Sequence, residues 1–314
     1  MPERPAAMRI VRHARPGGPP TAIAIGSFDG VHRGHAAILE RLRTRAAERG
    51  LVPAVLTFEP LPREFLAPGS APPRLTSLGE RLAEIARHGI GIAFVERFDR
   101  RFASLDADAF ARRLATDHGA RLVLVGEDFR YGARRAGDVE SLRRAGKALG
   151  FEVETLPAVA EDGERISSTR VREVLARADF ATAARLLGRP YAIRGRVMHG
   201  AKRGRGLGFP TANVRLSRPR AALSGIFAVK CHGVATRGLE GVASLGLNPA
   251  VRNGGPATLE AFLFDFSGDL YGRRISIEFL KKLRDEAHFA SLDALAEQIG
   301  RDCDDARAYF RAAR

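Results

Sequence analysis

The feature that most constrains this chain is a change in the period of its apolar residues at Gly188. Before it, short and almost continuously apolar runs alternate with amphipathic ones. TAIAIGSF, VPAVLTF, GIAFVE, RLVLVG and FEVETL predict buried strands. Between them, HAAILERLRTRAAERG, SLGERLAEIARHG, DADAFARRLATDHG and DVESLRRAGKALG repeat apolar residues three or four apart, with a glycine near most ends. Strand and helix in alternation predict a parallel sheet covered on both faces, with ligands at the C-terminal edge of the strands. Two further helices are expected over Ser168–Ala178 and Asp179–Leu187. After Gly188 the period falls to two, in YAIRGRVMHG, GIFAVKCHG, GVASLG, TLEAFLFDF and RRISIEFLKKL. Gly and Pro punctuate these runs, which predicts an antiparallel barrel or sandwich, closed by a helix over Ser291–Ala312.

The fold class expected is therefore α/β plus β, with a Pro/Gly-rich leader over residues 1–20, an α/β domain over 21–187 and a β domain over 188–314. A length of 314 residues suits two cores, and an apolar content of 45% lets both form without disulfides. Cys231 and Cys303 make no metal-ligand spacing and read as reduced thiols in a reducing cytosol. The N-terminus lacks the apolar core of a signal peptide, and no run approaches the ~18 apolar residues of a membrane helix. These features predict a cytoplasmic protein without a membrane partner. The net charge is +15, but the arginines are spread through the helices rather than bunched. That pattern reads as solvated faces, not as a nucleic-acid surface. Nothing indicates oligomerisation.

GSFDGVHRGH, Gly26 to His35, lies directly between the first strand and the first helix. Gly26 and Gly30 let the backbone turn tightly and approach a ligand. His32 and His35 stand three apart where the helix begins, so both rings can face one pocket beside N–H groups that favour a phosphate. Such a set stabilises charge on a phosphate under attack without a covalent enzyme intermediate. The first turn is not GxGxxG, which argues against a dinucleotide-binding oxidoreductase.

GxFDGVHxGH resembles the N-terminal module of the prokaryotic bifunctional riboflavin kinase/FAD synthetase family, a Rossmann-like nucleotidyltransferase with an HxGH signature. TFEPLP (Thr57–Pro62), VGEDFRYG (Val125–Gly132) and RISSTRVR (Arg165–Arg172) follow in that family's order. The resemblance implies that His32, His35 and Arg170 are catalytic. It implies ATP contacts for Gly26, Phe28, Asp29, Gly30, Asp128, Ser168 and Thr169, and flavin contacts for Phe58 and Phe129. The chemistry agrees: Asp128 can accept from a ribose or adenine, and Ser168 and Thr169 offer hydroxyls beside helix N–H groups. Arg170 brings a forked cation. Leu61 stands where many members have His, so no role is carried over to it.

HGAKRGRGLGFPTANV, His199 to Val214, opens the second half. Gly200, Gly204, Gly206 and Gly208 free the backbone to wrap phosphates, and Lys202, Arg203 and Arg205 add charge. Pro210 stiffens the turn, and Thr211 and Asn213 bring neutral oxygens to one side of an extended segment, a donor set that suits Mg²⁺ held with ATP. Glu260, among apolar strand neighbours, is either paired for structure or positioned to act. GLGFPTAN, with LEAFLFDFSGDLYG (Leu259–Gly272) and LRDEAHFASLDAL (Leu283–Leu295), resembles the flavokinase β-barrel of the same family. The resemblance implies Gly200, Arg205 and Gly208 at ATP, Thr211 and Asn213 at the metal, Glu260 as general base and Arg284 at the flavin. It departs at Ser244–Ala250, SLGLNPA for NIGxRPT, and at Phe262, which replaces a His.

The sequence thus predicts an enzyme that phosphorylates riboflavin to FMN in its second half. It then adenylylates FMN to FAD in its first, with ATP as co-substrate, Mg²⁺ as cofactor and small molecules as partners. The alternative is an FMN adenylyltransferase only, its barrel reduced to a degenerate flavin-binding module.

Overall fold

The computed structural model describes residues 7–200, 208–218, 220–247 and 257–313. Arg205 and the last part of the altered segment, residues 248–250, lie outside them. The chain divides into two compact units: Met1–Pro72 with Leu78–Ser167, and Pro73–Ser77 with Ser168–Arg314.

The first unit is a parallel six-stranded sheet. Its strands are β1 (Arg9–Val11), β2 (Thr21–Ile25), β3 (Val52–Glu59), β4 (Ile92–Arg97), β5 (Ala120–Gly126) and β6 (Glu152–Leu156), in the order β1-β4-β3-β2-β5-β6. The edge strand β1 comes from the stretch expected as leader, and pairs Arg9, Ile10 and Val11 with Ile92, Ala93 and Phe94. The helices are α1 (Arg33–Glu48), α2 (Pro62–Leu66), α3 (Leu78–Arg87), α4 (Arg100–Ala103), α5 (Ala107–Thr116) and α6 (Val139–Leu149). A small hairpin follows, β7 (Ala160–Glu161) with β8 (Glu164–Arg165).

Strand alternation splits the core into two layers, because successive side chains point to opposite faces. Ile23, Ile25, Val123 and Val125 pack with Phe110, Leu114 and Leu142 of α5 and α6. Ala22, Ala24, Leu122 and Leu124 pack with Leu39, Leu42, Leu82 and Ile85 of α1 and α3. The chain builds outward from β2 through β3 to β4, then returns to place β5 on the other side of β2. That reversal is the switch point at which open α/β sheets bind ligands. The segments after β2 and β5 flank it.

The second unit begins with α7 (Ser168–Ala176) and α8 (Phe180–Leu187). A closed antiparallel barrel follows, made of β9 (Ala192–Met198), β10 (Ala212–Arg215), β11 (Gly225–His232), β12 (Leu239–Leu247), β13 (Ala257–Leu263) and β14 (Arg274–Arg284). The long helix α9 (Leu292–Ala312), capped by Ser291, ends it. α8 clusters with the barrel although the sequence period changes only at Gly188, because Phe180 packs on the rings of Phe227 and Phe279. Pro73–Ser77 belongs here too: Arg218 donates to the Leu75 carbonyl at 2.6 Å, and Arg172 to that of Pro73 at 2.7 Å.

Phe227, Val229, Leu245, Leu259, Ala261, Ile277 and Phe279 are fully buried inside the barrel. The outer face carries Ile226, Ala228, Val242, Phe262 and Phe264, which meet Cys303, Ala306 and Phe310 of α9. Burial pushes the Cys231 and Cys303 thiols up to about 11, so both stay protonated at neutral pH. Phe227→Ala empties a site with no solvent access and is expected to destabilise the barrel unit by about 3–5 kcal/mol, read from the midpoint of its denaturant transition.

Candidate functional site

The turn after β2 is tied down at both ends. Gly26 N–H donates to the Leu56 carbonyl at 3.1 Å, and Val31 N–H to that of Phe28 at 3.1 Å. Phe28 (φ 49°), Gly30 (φ 84°) and Val31 (φ 41°) all adopt left-handed backbone. For a β-branched valine that conformation is strained, and strain of this kind collects at ligand sites. Asp29 and Phe28 are buried in the turn.

His32 caps α1, and its Nδ1 accepts the His35 N–H at 3.3 Å. Helix caps are ordinarily Ser, Thr, Asp or Asn, so an imidazole is an uncommon cap. Because Nδ1 accepts, the ring proton sits on Nε2. The His35 ring stacks on His32 at 3.7 Å and 18°, with Phe28 at 5.2 Å on its flank. Gly34, between them, lies close to the His32 ring: a Cβ would come within 3.1 Å of it, so the ring would have to give. The sequence reading passed over Gly34, although its place inside HRGH was the visible signal. Burial, then the neighbouring His32 and Arg81, hold the His35 pKa well below 6.5. His35 is a neutral ring at physiological pH, and its Nδ1 finds no hydrogen-bond partner among the described residues.

Of the other expected residues, Asp128, Phe129 and Phe58 belong to this unit and lie at the same sheet edge. Asp128 follows β5, where Arg165 grips it with both arms at 2.8 and 3.3 Å and holds its carboxyl below the usual range. Phe58, next to last in β3, joins an aromatic row through Phe102, Phe110 and Tyr131 to Phe129, with centroid steps of 5.3–6.2 Å. Leu61 is buried at the start of α2, where its backbone N–H donates to Glu64 at 2.9 Å. Ser168, Thr169 and Arg170 form the first turn of α7, in the second unit.

Arg81 is the residue that sequence reasoning missed. It sits on α3 with a side chain 1% exposed, donating to the carbonyls of Ser27 at 2.7 Å and Phe58 at 3.0 Å and to the Glu59 carboxylate at 3.2 Å. The signal was present: Arg81 falls on the apolar stripe formed by Leu78, Leu82 and Ile85.

In the barrel, register brings the second set together. Asn213 pairs with Glu260, Glu260 with Ser244, Ser244 with Ile226, and Ile226 with Arg284. Directly paired residues share a face, so this row lies on the outer surface of the barrel beside α9. Thr211 Oγ1 donates to Glu260 at 3.2 Å. Gly200 lies against the Asn213 amide, in space that a Cβ would fill, while a Cβ on Gly208 (φ 84°) would meet nothing within 4 Å among the described residues. Phe262 packs edge-on against Phe209 at 5.5 Å and against Phe264 at 6.0 Å, which explains an aromatic in place of a His. Arg284 spends its fork on Asp302 of α9, at 2.8 and 2.7 Å, and lies 5.6 Å from the Phe289 ring.

A family model described as FAD synthetase matches residues 16–170, and one described as riboflavin kinase matches 187–310. The chain is 47% identical over 305 residues to a bifunctional riboflavin kinase/FMN adenylyltransferase of Pseudomonas fluorescens, covering 96% of this chain and 97% of that one. It is 46% identical over 289 residues to the Escherichia coli K12 enzyme so named, covering 92% of each. A solved structure from Streptococcus pneumoniae, described as a macrolide-efflux protein, superposes with a TM-score of 0.74 at 29% identity over 95% of this chain and 97% of its own. Among the described residues no helix is long and apolar enough to cross a membrane.

The depressed His35 pKa sets a direction for stability against pH. In the unfolded chain the ring takes up a proton near pH 6.5, whereas in the folded unit it does so only at lower pH. Stability is therefore fully present above 6.5 and falls as pH drops through the window between the two values. Denaturation midpoints followed across that window are expected to decline, with a shallower decline in His35→Asn.

Proposed function

The chain belongs to the bifunctional riboflavin kinase/FMN adenylyltransferase family, and on that premise we propose that its two residue clusters divide the two reactions between them. The chain phosphorylates riboflavin and adenylylates the FMN so formed. The observation that carries our assignment is the stacked His32–His35 pair, capping a helix at the switch point of a parallel sheet.

In the barrel half, 188–314, the riboflavin 5′-hydroxyl oxygen bonds to the γ-phosphorus of ATP as the bond to ADP breaks. Glu260 takes the hydroxyl proton. Thr211, hydrogen-bonded to Glu260, keeps the carboxylate turned toward that face of β13. The Thr211 hydroxyl and the Asn213 amide, cradled by Gly200, are neutral oxygens beside a carboxylate, a donor set that fits Mg²⁺. Those two residues would hold the ion, which neutralises phosphate charge when bound. Gly200, Gly208 and Arg205 keep the ATP contacts implied by their motif. Arg284, fixed by Asp302, frames the flavin end of the row.

In the α/β half, 21–187, an FMN phosphate oxygen bonds to the α-phosphorus of ATP and the bond to pyrophosphate breaks. The N–H groups of His32 and His35 act on the charge that develops there. Gly26, Phe28, Asp29 and Gly30 shape the turn around the nucleotide. Asp128, preset by Arg165, accepts from its ribose or adenine. Ser168, Thr169 and Arg170 keep the phosphate-contacting role of their motif. Phe58 and Phe129, at the two ends of the aromatic row, receive the flavin ring. We place both reactions in the cytoplasm, on small-molecule substrates alone, without a nucleic-acid or membrane partner.

A product time course from riboflavin and Mg-ATP is the direct test, with FMN expected first and FAD second. FAD formation from supplied FMN without any riboflavin phosphorylation would instead support the degenerate-barrel reading. His35→Ala is expected to lower FAD formation about 10²–10³-fold while riboflavin phosphorylation continues. Glu260→Ala is expected to lower riboflavin phosphorylation about 10²–10⁴-fold while FAD still forms from supplied FMN. Loss of both activities in either variant would contradict independent sites.

A further inference from the structure

We propose that Arg81 is a positioning residue of adenylyl transfer, whose guanidinium clamps the turn carrying His32 and His35 onto the end of β3. The inference rests on the reading of that histidine pair as the adenylyl-transfer site.

A guanidinium buried to 1% exposure is costly unless its donors are met. Replacement of such a group by an apolar side chain is often neutral for stability, so stability is a poor reason for its presence. The partners of Arg81 point to another reason. One arm donates to the Ser27 carbonyl, in the turn that leads to His32. The other donates to the Phe58 carbonyl and the Glu59 carboxylate, at the C-terminal end of β3. Thr57 Oγ1 donates to the same Ser27 carbonyl at 3.3 Å, so β3 and α3 converge on a single backbone atom of the turn. A planar fork can bridge two carbonyls on separate segments at fixed spacing, which a lysine ammonium cannot reproduce.

Three of the turn residues adopt left-handed backbone, and the N–H groups of Gly26 and Val31 tie it to Leu56 and Phe28. Strained backbone persists only where its surroundings over-determine it. Arg81 adds to that determination from α3, through the Ser27 carbonyl. It also acts on His35 through space: with burial and His32, its charge disfavours a proton on that ring. His32 and Arg81 are the titratable or charged groups acting on His35. One buried cation thus holds the turn that carries the histidine pair and adds, after burial and His32, to what keeps His35 neutral.

The test compares Arg81→Met, Arg81→Lys and Arg113→Met in the full chain. Arg113 is a half-buried, ion-paired arginine of the same unit, bound to Glu96 at 3.1 Å and, among the described residues, without a hydrogen bond to the turn. Measured quantities are kcat and KM for FAD formation from FMN and ATP, the pH profile of that reaction, riboflavin phosphorylation on the same preparation, and the melting temperature.

Arg81→Met is expected to lower kcat at least about 10-fold, since small misplacements of reacting groups are costly. It is also expected to shift the acid limb of the profile to higher pH, because His35 then holds its proton longer. Riboflavin phosphorylation stays at the wild-type level. Arg81→Lys keeps the charge but not the fork, so its acid limb stays in place while kcat remains low. Arg113→Met lowers the melting temperature and leaves kcat and the acid limb alone.

Wild-type kcat and an unmoved acid limb in Arg81→Met would overturn the proposal, as would the same kinetic loss in Arg113→Met. If Arg81→Met does not fold, Arg81→Lys decides: wild-type kcat there overturns it, and a lowered kcat with a wild-type acid limb supports it. Failure of His35→Ala to affect FAD formation would refute the underlying site, a different result from either.

Discussion

β2 is hydrogen-bonded in parallel on both sides, to β3 and to β5, and covered by helices on both faces. A strand held in this way leaves its last residue little freedom, so the backbone that follows starts from a fixed point and direction. The turn from Gly26 to His32 uses that fixed start to place an imidazole, instead of a hydroxyl, at the cap of α1. The helix N-terminus then presents its N–H groups at the same spot, an arrangement that favours a phosphate. The positive φ values of Phe28, Gly30 and Val31 are the local cost of making this turn so short.

The barrel solves a different problem. Closure removes sheet edges and locks every strand to two neighbours, so a residue's partners around the ring are set by register. Asn213, Glu260 and Ser244 come from three separate segments, yet pairing sets them side by side on one face. α9 covers the apolar part of that face, and the Arg284–Asp302 pair fixes it at the end of the row. Asp302 is almost wholly buried and also accepts from Gln298 at 3.0 Å, so the carboxylate is well satisfied.

Much of this was legible in the sequence because it is local. The continuous apolar runs became β2 to β6, and the three-and-four periodicity became α1, α3, α5 and α6. The switch to period two marked the barrel strands. The edge strand was not legible: β1 has three residues and an exposed Ile10, too few to show a period. For the site, GSFDGVHRGH and GLGFPTAN carried their chemistry within ten residues or fewer. The pairing of Arg165 with Asp128 spans 37 positions, and nothing near either residue announces it.

The amino-acid sequence alone determined two cores, their classes, the family, and the residue types grouped in each motif. These follow from the spacing of neighbours along the chain, which local backbone geometry converts directly into faces and turns. Only the tertiary structure decided that His32 and His35 stack, that Asn213 and Glu260 pair, that Pro73–Ser77 joins the second unit, and that Arg81 reaches Ser27. Each depends on a partner distant in sequence, whose position is set by sheet order, register and burial rather than by any pattern within one segment.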